Sequence, residues 1–168
     1  MKTNTKMLTI LVLALGLLDL LPAVASQHSS VIYVKADATG ANNGSSWADA
    51  FTDLQLALVG AVPGDEIWVT SGTYAPAGPK GDRIATFQLV SGVGIYGGFS
   101  GTETERHQRN SAANVTVLSG DLNSDDLTVA AAADLANEPT RSDNSFHVVT
   151  ATGADDMAVL DGFIVTGG

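Results

Sequence analysis

Apolar and polar residues alternate with a period of two in the run VIYVK, which sets Ile32 and Val34 on one face of an extended segment and Tyr33 and Lys35 on the other. The same β-branched and aromatic character returns in EIWVTSGTY, TFQLVSGVGIYGGF, NVTVLSGDL, SFHVVTATG and MAVLDGFIVTGG. Each of these runs soon meets a glycine, which lets the chain turn at positive φ. One stretch follows a different period. In WADAFTDLQLALVGAVPGD, Phe51, Leu54, Leu58 and Ala61 recur at helical spacing, so the pattern predicts an amphipathic helix over about 52–61. Thr52 and Gln55 have the spacing of a capping box at its start, and Pro63 with Gly64 stops it.

The strand-like runs are spaced roughly fifteen to thirty residues apart, which suits the turns of a solenoid. An antiparallel sandwich would bring strands about every eight to twelve residues with tight hairpins between them. A doubly wound fold would need a helix after almost every strand, and one helix is predicted. Parallel stacking of similar turns remains. Neighbouring turns then pair at about 4.8 Å, and inward positions such as Ile67 and Val69, or Val115 and Val117, stack into one core. In SFHVV the alternation sets His147 opposite Phe146 and Val148. The fold class predicted is all-β, a single-stranded parallel β-helix with an N-terminal capping helix.

The chain opens differently. MKTNTK carries two lysines and no acid, MLTILVLALGLL is apolar, and LPAVAS has the small-x-small spacing read by signal peptidase. Residues 1–25 are therefore predicted to be a signal peptide cleaved after Ala25, and 26–168 the mature part of a β-helix domain. The apolar run is interrupted by Asp19 and Pro22, short of the roughly twenty residues a membrane span needs. Removing it takes the net charge from −10 to −11, because two lysines leave with Asp19. Such a charge disfavours nucleic acid and anionic lipid as partners. With no cysteine, an exported chain must be held by packing, backbone pairing or bound metal.

Taken together, YVKADATGANNGSSWADAFTDLQLAL, GDEIWVTSGTYAP, FQLVSGVGIYGGFSGTETER, NVTVLSGDL, NSFHVV and VLDGFIVTGG resemble the N-terminal part of secreted bacterial right-handed parallel β-helix repeat proteins. These have a pectate-lyase-like fold and are related to the polymorphic outer membrane protein-like group. The resemblance covers nearly all of residues 31–168. It implies that the early helix plugs the first turn, that further turns normally follow, and that a C-terminal segment often sorts or anchors the protein. The closing LDGFIVTGG ends on a strand-like run with nothing to cover its edge. The expectation is an N-terminal fragment, poorly soluble or self-associating if made as it stands.

Chemistry is sparse. Asp121, Asn123 and Asp125 in GDLNSDD match the opening D-x-N-x-D of a calcium loop, but position six is Asp126 in place of glycine and position twelve is Ala132 in place of glutamate. A looser calcium site within an insertion at about 121–144 is the metal expectation. GTETERHQRN gathers Glu103, Glu105, Arg106, His107 and Arg109, groups able to move protons, although a mixed-charge run at a turn is usually a set of surface ion pairs. His147 on its strand reads as scaffold, and His28 in the polar leader signals nothing. Trp47, Trp68 and Tyr96 would make a sugar platform if exposed together, with burial the alternative. Asn43 and Asn114 begin N-x-S/T sequons. The sequence contains no G-x-S-x-G elbow, phosphate loop or H-E-x-x-H. No catalytic residue is named. The reading is a secreted or cell-surface scaffold of adhesin type, whose partners are extracellular polysaccharide or cell-surface components. Its alternatives are a carbohydrate-active lyase or glycosidase on the same fold and a calcium-dependent binding module.

Overall fold

The computed structural model describes residues 29–167. The leader, its cleavage point and His28 lie outside the described residues. From residue 29 onward the chain is sheet and irregular structure with one α-helix, and every strand pair is parallel. Three open sheets are formed. The first holds β1 (Val31–Val34), β2 (Glu66–Thr70), β5 (Gly94–Phe99) and β8 (Val159–Asp161), hydrogen-bonded in that order. The second holds β3 (Gly72–Tyr74), β6 (Thr116–Ser119) and β9 (Phe163–Thr166), and the third pairs β4 (Phe87–Gln88) with β7 (Val149–Thr150). The chain visits the sheets in one recurring order: β2, β3, β4, then β5, β6, β7, then β8 and β9.

Several long sequence runs divide at a bend between sheets. EIWVTSGTY becomes β2 and β3, and MAVLDGFIVTGG becomes β8 and β9. Gly162 makes the second bend at φ +85°, a conformation costly to any residue with a Cβ. Gly97 is required for a different reason. A Cβ there would lie 2.5 Å from the Gly162 carbonyl oxygen, so adjacent layers approach closely enough to exclude a side chain.

Register turns the period-two pattern into ladders. Ile32, Ile67, Ile95 and Leu160 occupy one position on successive strands of the first sheet and face the core. Tyr33, Trp68, Tyr96 and Asp161 occupy the next position. Phe87, Tyr74 and Leu118 close the core from the other sheets, with Val34, Val69, Val93 and Val148 between them. On β6 the inward residues are Thr116 and Leu118, whereas Val115 is 43% exposed, so the predicted phase of Val115 and Val117 is corrected by one residue. The reason is polar. Thr116 Oγ1 accepts from Gly98 N at 2.9 Å and reaches the Thr70 carbonyl at 3.3 Å, pairing groups that the bend at Gly98 would leave unpaired. Phe146 is likewise exposed beneath Arg83, while Val148 is buried, so these two residues do not share a face as predicted.

The helix α1 (Leu54–Gly60) lies beside β1 and β4 and buries Leu54, Ala57 and Leu58. Its cap is Asp53, which accepts from Gln55 N at 2.8 Å, in place of the predicted Thr52 box. Thr52 N donates instead to Asn42, and Gln55 donates to the Pro76 and Thr86 carbonyls, tying the helix to the following layer. The outer edge of β1 is also covered, since Phe51 N donates to Tyr33 O and Lys35 N to Phe51 O. The corrected phase of β6 predicts that Leu118→Ala costs about 2–5 kcal/mol. Val115→Ala should change stability by less than about 0.5 kcal/mol. Urea denaturation of both variants tests this, and a larger loss at Val115 would restore the original phase.

Candidate metal centre

After β6 the chain leaves the sheets at Gly120, whose carbonyl accepts from Ser145 N at 2.8 Å and so pins the two ends of the 121–144 insertion together. The insertion carries two short 3-10 turns, Ala132–Asn137 and Pro139–Asp143. At its opening, Asp121 folds the chain around its own carboxylate. Its Oδ1 accepts from Asp125 N at 3.2 Å and its Oδ2 from Asp126 N at 3.0 Å. The closing end returns alongside, where Asp143 Oδ2 accepts from Asn123 N at 2.9 Å.

The result is a cluster the sequence motif only half describes. Carboxylate oxygens of Asp121, Asp125 and Asp143 lie within 4.8 Å of one another. That separation suits hard oxygen ligands around one cation, since calcium–oxygen distances are about 2.3–2.6 Å. Asn123, the middle residue of the motif, is not brought in: its side-chain oxygen accepts from Lys80 N at 3.2 Å. Asp143, twenty-two residues after Asp121, stands in the cluster instead, and only folding could reveal it. Asp126 is turned away to Asn144 Nδ2 at 3.0 Å and Arg141 at 3.5 Å. Desolvation pushes the Asp125 carboxyl above the ordinary carboxylate range, and the neighbouring charges of Asp143, Asp121 and Asp126 add to it. Its ionised form is thus disfavoured in the folded chain, a repulsion that a bound cation or a proton would relieve.

The other charged run is architectural. Glu103 is buried, and although desolvation opposes ionisation, hydrogen bonds from the Ser100, Gly101 and Thr102 amides hold its carboxyl below its ordinary value. Arg106 pairs with Glu66 at 2.6 Å and lies 4.5 Å over the Tyr96 ring. Arg109 also lies against that ring, 5.3 Å from its centroid, and bonds Asp161 and the Gly97 carbonyl. Glu105 caps the short 3-10 turn Arg106–Gln108, whose Gln108 accepts from the Thr104 and Glu105 amides. His107 is exposed. The run therefore latches the loop after β5 onto the first sheet.

The aromatic platform is not assembled. Trp68 is buried, stacking on Phe99 at 4.7 Å, with Tyr33 and Trp47 against it, while Tyr96 stands apart under the arginines. Trp47 Nε1 donates to the Glu103 carbonyl at 2.8 Å, so this aromatic cluster and the Glu103 turn support each other. His147 is exposed beside its short strand, and of the two sequons Asn43 is exposed whereas Asn114 Nδ2 donates to the Gly98 carbonyl.

Among the described residues no helix is long and apolar enough to cross a membrane. Comparison with family models, curated proteins and solved structures returned no match.

Glu103→Ala would leave three amides without their acceptor, and the expected loss is about 2–3 kcal/mol at neutral pH. Because the folded carboxyl is depressed, this contribution is present above its unfolded value of 4.5 and disappears as pH falls through the lower folded value. Melting curves of wild type and variant should therefore converge in acid, and a constant gap down to strongly acidic pH would contradict the assignment.

Proposed function

We propose that the three parallel sheets are the faces of a right-handed parallel β-helix. On this reading the chain is exported and acts, without catalysis, as an extracellular or cell-surface scaffold of adhesin type. The observation that carries the reading is the recurring order of the sheets, in which equivalent residues such as Ile32, Ile67, Ile95 and Leu160 stack in register. Parallel strands joined by long crossovers are right-handed almost without exception. Burial of Leu54 and Leu58 against β1 and β4 supports the helix as the plug of the first turn. Export rests on the apolar leader in residues 1–25. The scaffold role is supported by the use of Glu103, Arg106 and Arg109 in holding a loop, which commits three of the five charged or titratable groups of that run to structure.

The test is a pair of assays on the purified chain. Adhesion to cell-surface material without turnover is expected, and uronate polymers should yield neither unsaturated products nor new reducing ends. Sustained release of either product would replace the scaffold with a polysaccharide-active enzyme on the same fold.

The cluster of Asp121, Asp125 and Asp143 favours a second, compatible reading, in which calcium staples the two ends of the insertion. Calcium at one hundred times its dissociation constant would stabilise the fold by about 2.7 kcal/mol. Calorimetry should give a binding isotherm for wild type and for Asn123→Ala, and none for Asp121→Ala or Asp143→Asn. Flat traces for every protein would end this reading, and loss of binding in Asn123→Ala would return the ligand set to the linear motif.

A further inference from the structure

The insertion does more than close on itself. Where it folds back over the ends of β6 and β9 it leaves a cavity of about 480 Å³, within the usual size range of small-ligand sites. Its lining is partly apolar and includes Leu127, 60% exposed, and Leu135, 38% exposed. The polar part of the lining includes Ser119, Thr166, Asp126 and Arg141.

Two of these polar groups are underused. Arg141 has one charge partner among the described residues, Asp126 at 3.5 Å, which is longer than a hydrogen bond of ordinary strength. Among the described residues its buried Nε has no hydrogen-bond partner, and neither has the buried Asp126 Oδ1. Buried polar atoms are nearly always paired, because leaving one unpaired costs about 1–3 kcal/mol. Here a guanidinium and a carboxylate stand side by side, each with spare capacity, on the wall of a concave space. A small shift toward an arriving ligand would let the acid accept and the guanidinium donate.

We propose that this cavity binds a neutral saccharide. The proposal rests on the adhesin reading and names its ligand class. Adjacent sugar hydroxyls both donate and accept, so one pair can donate to Asp126 and accept from Arg141. The C–H face of the ring supplies the apolar surface that Leu127 and Leu135 would cover. In the calcium-free chain charge selects among sugars: Asp121 and Asp126 set two negative groups against Arg141, and the chain carries −10, so uronates and sulfated glycans are repelled.

The experiment uses the full chain on an immobilised panel of neutral, amino and uronate oligosaccharides, with hits followed by calorimetry. Neutral glycans should be retained over uronates. Ala132→Trp places an indole in the cavity from an exposed position, removing no buried contact, and should weaken binding at least tenfold with an unchanged melting curve. Arg141→Ala should weaken it similarly. Equal binding by wild type and Ala132→Trp, preference for uronates, or no retention of any glycan while cell-surface adhesion persists would each overturn the site. The last outcome leaves the scaffold reading standing. Cleavage of uronate polymers would remove that reading whatever the cavity binds.

Discussion

Parallel pairing is the constraint from which the rest of this structure follows. A parallel neighbour cannot be reached through a two-residue hairpin, so the chain must travel around before it returns to the same edge. Here the return is made through two other sheets, and each later strand pairs its backbone with an earlier strand of its own sheet. The apolar ladder from Ile32 to Leu160 is a consequence of that register. So is the need for Gly97, where the next layer's carbonyl occupies the space of a side chain.

The same constraint decides where variation is tolerated. Among the strand-to-strand connections without an α-helix, the two longest are the loop after β5 and the 121–144 insertion after β6, and both carry polar residues out of the sheets. They are anchored differently. The first is held by contacts of Arg106 and Arg109 with the Tyr96 ring, by their ion pairs with Glu66 and Asp161, and by the buried Glu103 carboxylate. The second brings three carboxylates together with no basic side chain in ion-pair contact among the described residues, and it leaves Asp126, Arg141 and Asn144 each with an unpaired buried atom. Loops whose charges are paired internally need nothing further. An insertion with uncompensated acid and spare hydrogen-bonding capacity is the part of this chain with chemistry left to perform, which is why both the cation and the saccharide are placed there.

Much of the architecture was legible before any coordinates. Strand-forming runs ended by glycine, one helical stripe from Phe51 to Ala61, and spacings too long for hairpins led to parallel strands with a single helix, because these signals are local. Phase was harder. β2 is buried on both faces from Ile67 to Thr70, so alternation alone does not say which side meets the core. On β6 the deciding contact is Thr116 with Gly98 and Thr70, residues from two earlier strands. The aromatic residues illustrate the same limit, since Trp47 and Trp68 meet Tyr33 and Phe99 and leave Tyr96 to the arginines.

By itself, the sequence determined where the strand-forming runs lie, the helix, the acidic balance and the absence of disulfides, all properties of composition and short-range period. Tertiary structure alone decided that Asp143 would join Asp121 and Asp125, that Asn123 would not, and that Arg141 would stand beside Asp126 in the lining of a cavity. The physical reason is distance along the chain. These pairs are brought together by the closure of a long insertion at Gly120 and Ser145, and a contact made by closing a loop leaves no mark on the local pattern of either end.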